Sequence, residues 1–476
     1  MAGDFLKSHG IDIDAEMARI QNAGGIGDPQ AAIDIHNVSL PQTQPDSLWN
    51  VRIRDQNIEK IVPAEYQLEN AQNSINGASA LLAPSLCHPH IHLDKAFLLS
   101  HPKYAHLNIE KGDFQEAMTL TGQAKSEFEH DDLLERGQRV VDESVAAGVT
   151  HMRAFVELDA GVGEKCLDAG IALRKQAARE KICHVQLCAF AQLPLFSPAQ
   201  SDEDGSVIRS LMRRAAGNDE VEAIGSTPYV ETDREKMKKN VEWMVELSIE
   251  YNKHLDFHLD YNLDPENEPL IWHVIDTLQA TRWNEKTKDR TIVLGHCTRL
   301  TLFNDSEWVE LAGAIKDADL PVSFVGLPTS DLFMMRTGQT PEIRGTLDVP
   351  KLVKQYGLNT CIGVNNIGNA FTPQGSCDPL SLASQAVGVH QAGTAQDTEL
   401  LYECVSTRAK AAIGVGGSSL HKTRLAIQKD DRADLLLFGA ADQKDLWRTR
   451  KAVSTAIYLY DHCKGRRGFY KGTLQA

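Results

Sequence analysis

Two kinds of hydrophobic pattern divide the chain. In residues 31–83, and again after residue 414, apolar and polar residues alternate in short segments such as 48–53. This period of two is typical of strands with one buried face. Between these ends, short β-rich apolar runs alternate with long helical stretches. The pattern predicts two β-rich ends on either side of a central α/β region.

Eight strands are predicted for the barrel, seven within the central region, residues 84–414, and one just before it. The first is an apolar run ending at residues 81–83, just before a histidine-rich segment, and the others cover 152–156, 184–190, 221–224, 255–259, 291–294, 321–325 and 360–364. Helices are predicted between them, for example at 133–147, 235–251, 308–317 and 349–356. Strands that alternate with helices form right-handed parallel units, and eight such units close into a barrel. The predicted fold is an α/β protein with a (β/α)8 TIM-type barrel.

The two β-rich ends, residues 31–83 and 415–476, are predicted to meet as one small β-sandwich domain beside the barrel. Residues 433–438 and 453–459 read as strands, and they follow a predicted helix over 398–413 that ends at Gly414. Residues 1–30 form a polar N-terminal extension with one predicted helix over 14–22. The sequence leaves open whether this extension contacts a second subunit in a homo-oligomer.

Composition narrows the class of protein. The 476 residues are 42% hydrophobic, which supplies a large core, and the formal charge of −16 argues against a nucleic-acid partner. No apolar run is long enough for a membrane span, and no apolar signal segment opens the chain. The nine cysteines are scattered without a C-x-x-C pair, which fits a reducing compartment. We expect a cytoplasmic protein that acts on a small molecule.

The richest candidate chemistry is the segment 88–94, which reads H-P-H-I-H-L-D. In an extended chain His90 and His92 point to the same side, while Ile91 points away into apolar packing. Paired neutral imidazoles are common metal ligands. Two histidines that merely pack are the alternative, but three histidines within five residues, followed by Leu-Asp-Lys, favour a metal site.

Polar residues also follow several later strands. His258 follows the fifth strand, His296 the sixth, Asn365 and Asn366 the eighth, and Gln192 lies just past the third. A single histidine at a strand end is usually only hydrogen-bonded. A barrel, however, directs the carboxyl ends of its strands to one pocket, so the repetition favours a shared site.

These segments resemble the cytosine deaminase-like branch of the amidohydrolase superfamily over about residues 45–475. The matching motifs are H-P-H-I-H-L-D at 88–94, F-H-L-D at 257–260, G-H-C-T at 295–298, G-V-N-N at 363–366 and A-D-L-L-L-F at 433–438. The resemblance implies that His90, His92 and His258 hold one divalent metal, zinc or iron. It also implies that His296 stands beside the attacking water and the substrate, and that Gln192 binds a substrate amide or ring edge.

The same resemblance extends to two further features. The loop 327–332, with Met334, Met335 and Arg336, resembles the segment that covers the substrate in the family. Some members of the superfamily bridge two metals with a lysine on the fourth strand. Residues 221–226 contain no lysine, so we expect a mononuclear site.

Two residues depart from the family pattern. Asn365 stands where the family has an aspartate that ligates the metal and takes a proton from water, and Tyr261 stands where it has a glutamate that shuttles protons. Asparagine offers a metal its amide oxygen but is no base at neutral pH. Tyrosine, with a reference pKa of about 10, donates a proton far more readily than it accepts one. The usual deaminase machinery is therefore incomplete.

Three explanations are open. Asp260, Asp94 or His296 could replace the lost base, and the enzyme would then be a hydrolase or deaminase acting on a C–N bond of a cyclic or heterocyclic molecule. The metal could instead serve a non-hydrolytic lyase, isomerase or cyclase with Tyr261 as proton donor. The site could also be catalytically dead and only bind. Because many pocket groups are retained together, we favour retained chemistry.

Further substrate contacts are predicted at the barrel mouth. Lys95 is expected either to face an anionic substrate or to form a salt bridge with Asp94 or a neighbouring loop carboxylate. Asn366 is a further predicted substrate contact. Five other candidates suggest a flat, partly apolar ligand, although aromatic and methionine residues near strand ends often only fill the core. These candidates are Phe155, Gln192, Met334, Met335 and Phe371.

Overall fold

A computed structural model describes residues 32–68, 73–199, 201–338, 340, 342–417, 423–440, 447–460 and 465–475. The helix predicted over 14–22, like the whole extension 1–30, lies outside the described residues. Within the described ranges, no helix is both long and apolar enough to cross a membrane.

Eight parallel strands form the barrel. They are β6 (Leu86–His92), β7 (Val149–Glu157), β8 (His184–Ala191), β9 (Val221–Ser226), β10 (His254–Leu259), β11 (Ile292–His296), β12 (Val322–Gly326) and β13 (Asn359–Ile362), hydrogen-bonded in chain order. Just past β13, Asn365 closes the ring. Its N–H donates to the carbonyl of His90 at 3.0 Å, and its carbonyl accepts from the N–H of His92 at 2.9 Å. The predicted (β/α)8 barrel is confirmed.

Helices follow most of the barrel strands and cover the outside. They are α1 (Phe114–Ser126), α2 (His130–Ala146), α3 (Lys165–Glu180), α4 (Ser206–Ala216), α5 (Arg234–Tyr251), α6 (Ile271–Thr281), α7 (Trp283–Lys286), α8 (Asp305–Asp317), α9 (Pro328–Met334), α10 (Val349–Tyr356), α11 (Pro379–Val389), α12 (Ala395–Cys404), α13 (Thr407–Ala412) and α14 (Val453–Tyr458). The apolar faces of these helices and of the barrel strands form one large core.

A small β-sandwich is built from both parts of the chain that flank the barrel. One sheet has the order β3 (Asn57–Pro63), β2 (Trp49–Arg54), β1 (Ile33–Val38) and β4 (Asn73–Asn76). The other has the order β16 (Thr473–Leu474), β15 (Arg466–Tyr470), β14 (Leu435–Phe438) and β5 (Leu82–Pro84). Side chains from both sheets, including Ile35, Val51, Leu82, Leu437 and Phe469, share a separate core.

Three element predictions were wrong. The run 81–83 does not begin the barrel, because β5 pairs antiparallel with β14 in the sandwich, and the first barrel strand is β6 after it. Residues 453–459 contain helix α14, whose buried Val453, Ala456 and Ile457 have helical spacing. The helix predicted over 398–413 is two helices, α12 and α13. They separate next to Ser406, whose hydroxyl donates to the carbonyl of Ser85.

A buried ion pair lies inside the barrel. Arg153 of β7 donates to Asp256 of β10 at 2.9 Å, and both side chains are fully buried. Arg153→Leu would leave this carboxylate without its partner, and we expect it to lower the free energy of unfolding by about 3–5 kcal/mol. Arg153→Leu/Asp256→Leu removes both charges and is expected to cost far less. Urea denaturation of the two variants measures the difference. Equal losses would show that packing, and not the unpaired charge, dominates.

Candidate metal centre and active site

A bulge in β6 separates the histidines of the 88–94 segment. The register between β6 and β7 shifts between His88 and Ile91. His88 therefore turns outward, where its Nε2 bonds the Ser144 hydroxyl of α2 at 3.0 Å and the carbonyl of Cys377 at 3.1 Å. His90 and His92 face the interior of the barrel, two residues apart as predicted.

His258 from the end of β10 joins these two histidines. One potential ligand atom from each of His90, His92 and His258 lies within 4.8 Å of the others, and all three side chains are buried. Burial lowers the pKa of each ring well below 6.5, which leaves the imidazoles neutral with free lone pairs.

The polar atoms of this cluster lack ordinary hydrogen bonds. Neither ring nitrogen of His90 or His92 has a hydrogen-bond partner within the described part of the chain, and the same holds for Nε2 of His258 and Oδ1 of Asn365. The Asn365 amide donates from Nδ2 to the Ser330 hydroxyl at 2.8 Å, which leaves its oxygen on the side of His90. Buried polar atoms are costly without partners. Three neutral imidazoles and an amide oxygen fit a divalent ion such as zinc or iron.

His296 is oriented by a carboxylate that sequence reasoning did not single out. His296 ends β11, and its Nδ1 donates to Oδ1 of Asp331 in α9 at 2.7 Å. Burial raises the pKa of Asp331, and the bond to His296 opposes that rise. The other oxygen of Asp331 accepts from the N–H of Leu327 and from the Thr346 hydroxyl, both at 3.1 Å. With Nδ1 held in this way, Nε2 of His296 is the nitrogen free for chemistry in the pocket.

Tyr261 and Asp260, adjacent in sequence, have different surroundings. The Tyr261 ring lies 4.0 Å from the His296 ring between centroids. Burial raises the pKa of Tyr261 well above 10, and Asp331 and Tyr229 add to this, so the hydroxyl keeps its proton. The Asp260 carboxylate instead accepts from the N–H groups of Leu270 and Ile271 at 2.7 and 3.1 Å. It thus binds the start of α6 and is not among the side chains that line the pocket.

Lys95 belongs to a buried charge network. Its ammonium donates to Oε1 of Glu157 at 2.7 Å and to Oε1 of Gln192 at 3.2 Å. The second oxygen of Glu157 accepts from Lys125 of α1 at 2.6 Å, and Lys125 also pairs with Asp159. Burial raises the pKa of Glu157, but the two lysines outweigh it and hold the pKa at about 2. Lys95 therefore pairs with the residue that ends β7 rather than with Asp94.

Asp94 binds the same strand end from the other side. Its Oδ2 accepts from the backbone N–H of Glu157 at 2.7 Å, while its Oδ1 has no hydrogen-bond partner among the described residues. Burial and the charge of Glu157 raise the pKa of Asp94 to about 6. His92, Asp94 and Glu157 form a second group with the spacing of metal ligands, but both oxygens of Glu157 are bound by lysines.

One pocket at the carboxyl ends of the strands gathers most of the predicted site. It is lined by His92, Lys95, Phe114, Gln192, Tyr229, His258, Tyr261, His296, Ser330, Asn365, Asn366 and Phe371. Phe114 and Tyr229 were not predicted, because each lies on a segment without a recognisable motif. Ser330 was not singled out, but it belongs to the loop 327–332, which resembles the substrate-covering segment of the family. Three predicted pocket residues are not in the lining. Phe155 packs beneath His90 at 4.1 Å between ring centroids, Met334 packs beside Phe371, and Met335 lies outside the pocket.

The fold is a (β/α)8 barrel with a small β-sandwich built from both flanking parts of the chain. The histidine site lies inside the barrel. No protein-family model and no curated protein sequence matches the chain. Solved structures of deaminases and hydrolases share its fold.

Three of these structures span nearly the whole chain. 5-methylcytosine deaminase from Klebsiella pneumoniae, bound to 5-fluorocytosine, has a TM-score of 0.76 and 19% identity, covering 93% of this chain and 97% of the deaminase. N-isopropylammelide isopropylaminohydrolase from Burkholderia multivorans has a TM-score of 0.70 and 17% identity, over 93% and 98%. Guanine deaminase from C. acetobutylicum has a TM-score of 0.59 and 14% identity, over 94% and 100%. The TM-scores show a shared fold.

Proposed function

We propose that the protein is a metal-dependent amidohydrolase that cleaves a C–N bond of a small heterocyclic molecule. The observation that carries the proposal is the convergence of three buried, neutral imidazoles beside the His296–Asp331 pair, each with at least one ring nitrogen that has no hydrogen-bond partner among the described residues. The motifs that resemble the amidohydrolase superfamily support it. So does the fold shared with enzymes that act on cytosine-type, guanine and ammelide rings.

His90, His92 and His258 would hold one divalent ion, with the Asn365 oxygen as a fourth ligand. Such an ion would act as a Lewis acid that makes water a better nucleophile. The ligand set is neutral throughout, because asparagine replaces the family's aspartate. Asn365 therefore contributes an oxygen and takes no proton.

His296 is the group that would accept the proton. Its Nδ1 is committed to Asp331 at 2.7 Å, so its Nε2 is left with a free lone pair. The buried Asp331 carboxylate would stabilise the imidazolium that forms. Tyr261, in contact with His296 and protonated, would donate to the leaving nitrogen, and the His296 imidazolium would return the proton from water to the phenolate. His296 and Tyr261 would thereby replace the two carboxylic acids that the family uses.

A non-hydrolytic lyase, isomerase or cyclase is the second candidate. It is favoured by one observation, that the described lining of the pocket contains a protonated tyrosine and no carboxylate to act as base on water. In such an enzyme the same metal would polarise a carbonyl group, and Tyr261 would supply the proton.

The isotope of the product oxygen distinguishes the two functions. Metal-reconstituted protein is incubated with a panel of amino- and oxo-substituted pyrimidines, purines and triazines in H2(18)O. We expect ammonia or an amine to be released together with incorporation of one heavy oxygen into the ring product. A product that forms with neither nitrogen release nor heavy oxygen would overturn the hydrolase and support the second candidate. Boiled protein and protein treated with a chelator are the controls.

A further inference from the structure

Apart from His296 and the residues proposed to hold the metal, the polar groups that line the pocket are mainly hydrogen-bond donors. Gln192 illustrates why. Its Oε1 already accepts from the Lys95 ammonium at 3.2 Å. Because an ammonium can only donate, the amide atom that faces it must be the oxygen. This bond fixes the orientation of the amide, so Gln192 has only N–H groups on its other side. One of them faces the Tyr229 hydroxyl, and the other is left to offer to a ligand. Lys95 itself has a further N–H beyond those used by Glu157 and Gln192.

The side-chain amide of Asn366 is also oriented by a hydrogen bond to its oxygen. Asn369 accepts at Oδ1 from the backbone N–H groups of Phe371 and Thr372, both at 3.0 Å, which determines the orientation of its own amide. Its Nδ2 therefore donates, and it does so to Oδ1 of Asn366 at 2.9 Å. With its oxygen occupied in this way, Asn366 has its N–H groups left for the pocket.

Two hydroxyls add to this set of donors. Tyr229 and Tyr261 line the pocket, and their buried phenols keep their protons at neutral pH. No aspartate or glutamate occurs in the described lining. Two neighbouring carboxylates are already paired with residues of the lining, Glu157 with Lys95 as well as with Lys125, and Asp331 with His296.

The apolar part of the lining is aromatic. Phe114 and Phe371 lie 5.7 Å apart between ring centroids, and the Lys95 ammonium lies 5.2 Å from the centroid of the Phe371 ring. The Phe114 ring also lies edge-to-face with the Tyr261 ring, with 6.1 Å between their centroids. Aromatic walls of this kind suit a flat ring.

We propose that the substrate is an anionic, acceptor-rich heterocycle, a flat six-membered nitrogen ring with several exocyclic oxygens and a negative charge at neutral pH. The inference rests on the proposed function and names its substrate class. Each buried donor that a ligand leaves unmatched weakens its binding. A ring with several oxygens would offer acceptors to Lys95, Gln192, Asn366 and the tyrosines. Its charge would face the third N–H of the Lys95 ammonium, whose other two N–H groups bind Glu157 and Gln192.

Calorimetric titration of barbiturate against uracil tests the proposal. At pH 7 barbiturate is an anion with three exocyclic oxygens, whereas uracil is neutral with two. We expect barbiturate to bind about tenfold more tightly or better, because it matches one more donor and the charge of Lys95. Equal affinities, tighter binding of uracil, or binding of neither ring would overturn the proposal.

Two variants test the cause of the preference. Lys95→Met is expected to bring the affinity ratio close to one, and Glu157 keeps its bond to Lys125 in that variant. Tyr261→Glu places a carboxylate in the lining and is expected to weaken barbiturate more than uracil. Lys175→Met, at an exposed lysine that pairs with Glu220, is the matched control and should leave the ratio unchanged. An unchanged ratio in both pocket variants would overturn the proposal even if barbiturate binds better.

Metal analysis of the same samples separates this proposal from the hydrolase. Protein that contains metal and shows no preference for the anion contradicts the substrate class alone. Protein that prefers barbiturate but contains no metal after reconstitution contradicts the hydrolase alone.

Discussion

Replacing His90 and His92 together by alanine is expected to reduce the bound divalent metal from about one ion per chain to nearly none and to abolish turnover. His258 and Asn365 would be the only ligands left, and two neutral ligands do not retain a zinc or iron ion through purification. The measurement is elemental mass spectrometry on gently purified and on zinc-reconstituted protein.

His88→Asn is the matched control. His88 lies on the same strand and is equally buried, but its ring bonds Ser144 and the carbonyl of Cys377 outside the barrel. This variant is expected to lose some thermal stability and to keep its metal. A wild-type protein that binds no metal after reconstitution, or a double variant that still binds one ion, would contradict the metal centre.

Asp331→Asn is expected to lower kcat by about 10²–10⁴-fold while metal content and KM change little. The amide would still fill the space beside His296, but it could not stabilise an imidazolium, and its N–H₂ group would favour the wrong tautomer of the ring. Asp331 is a positioning residue, since it acts through His296. Steady-state kinetics combined with metal analysis therefore separate its effect from a loss of the site.

Thr346→Val provides the control for this effect. Its hydroxyl donates to the other oxygen of Asp331 at 3.1 Å, so the variant removes a bond to the same carboxylate without touching His296. We expect at most a few-fold decrease in kcat. If Thr346→Val and Asp331→Asn reduce kcat equally, or if Asp331→Asn loses its metal, the role of the His296–Asp331 pair as a proton acceptor is wrong.

Much of the fold could be predicted because its signals are local. Seven of the predicted barrel strands overlap observed ones, since short apolar runs between amphipathic helices indicate parallel strands. The first strand was misplaced because β5 and β6 are separated by a single residue, Ser85, and both are buried. Hydrophobicity alone does not show which apolar run pairs with which sheet.

The bulge in β6 also escaped prediction. Strict alternation would place His88 on the same side as His90 and His92, and the bulge turns it outward to Ser144. Bulges depend on the pairing of neighbouring strands, which a single strand's sequence does not report.

The sequence by itself determined the chemical groups available to this protein: an H-x-H pair, histidines after two later strands, and Asn365 and Tyr261 where the family that the sequence resembles has acids. The tertiary structure decided which of those groups are free to act. His296 meets Asp331 across 35 residues, and Lys95 meets Glu157 across 62. Asp260, two residues after the predicted ligand His258, turns instead to the start of a helix. Such partners are set by closure of the barrel, which brings distant strand ends together, so no local pattern in the chain encodes them.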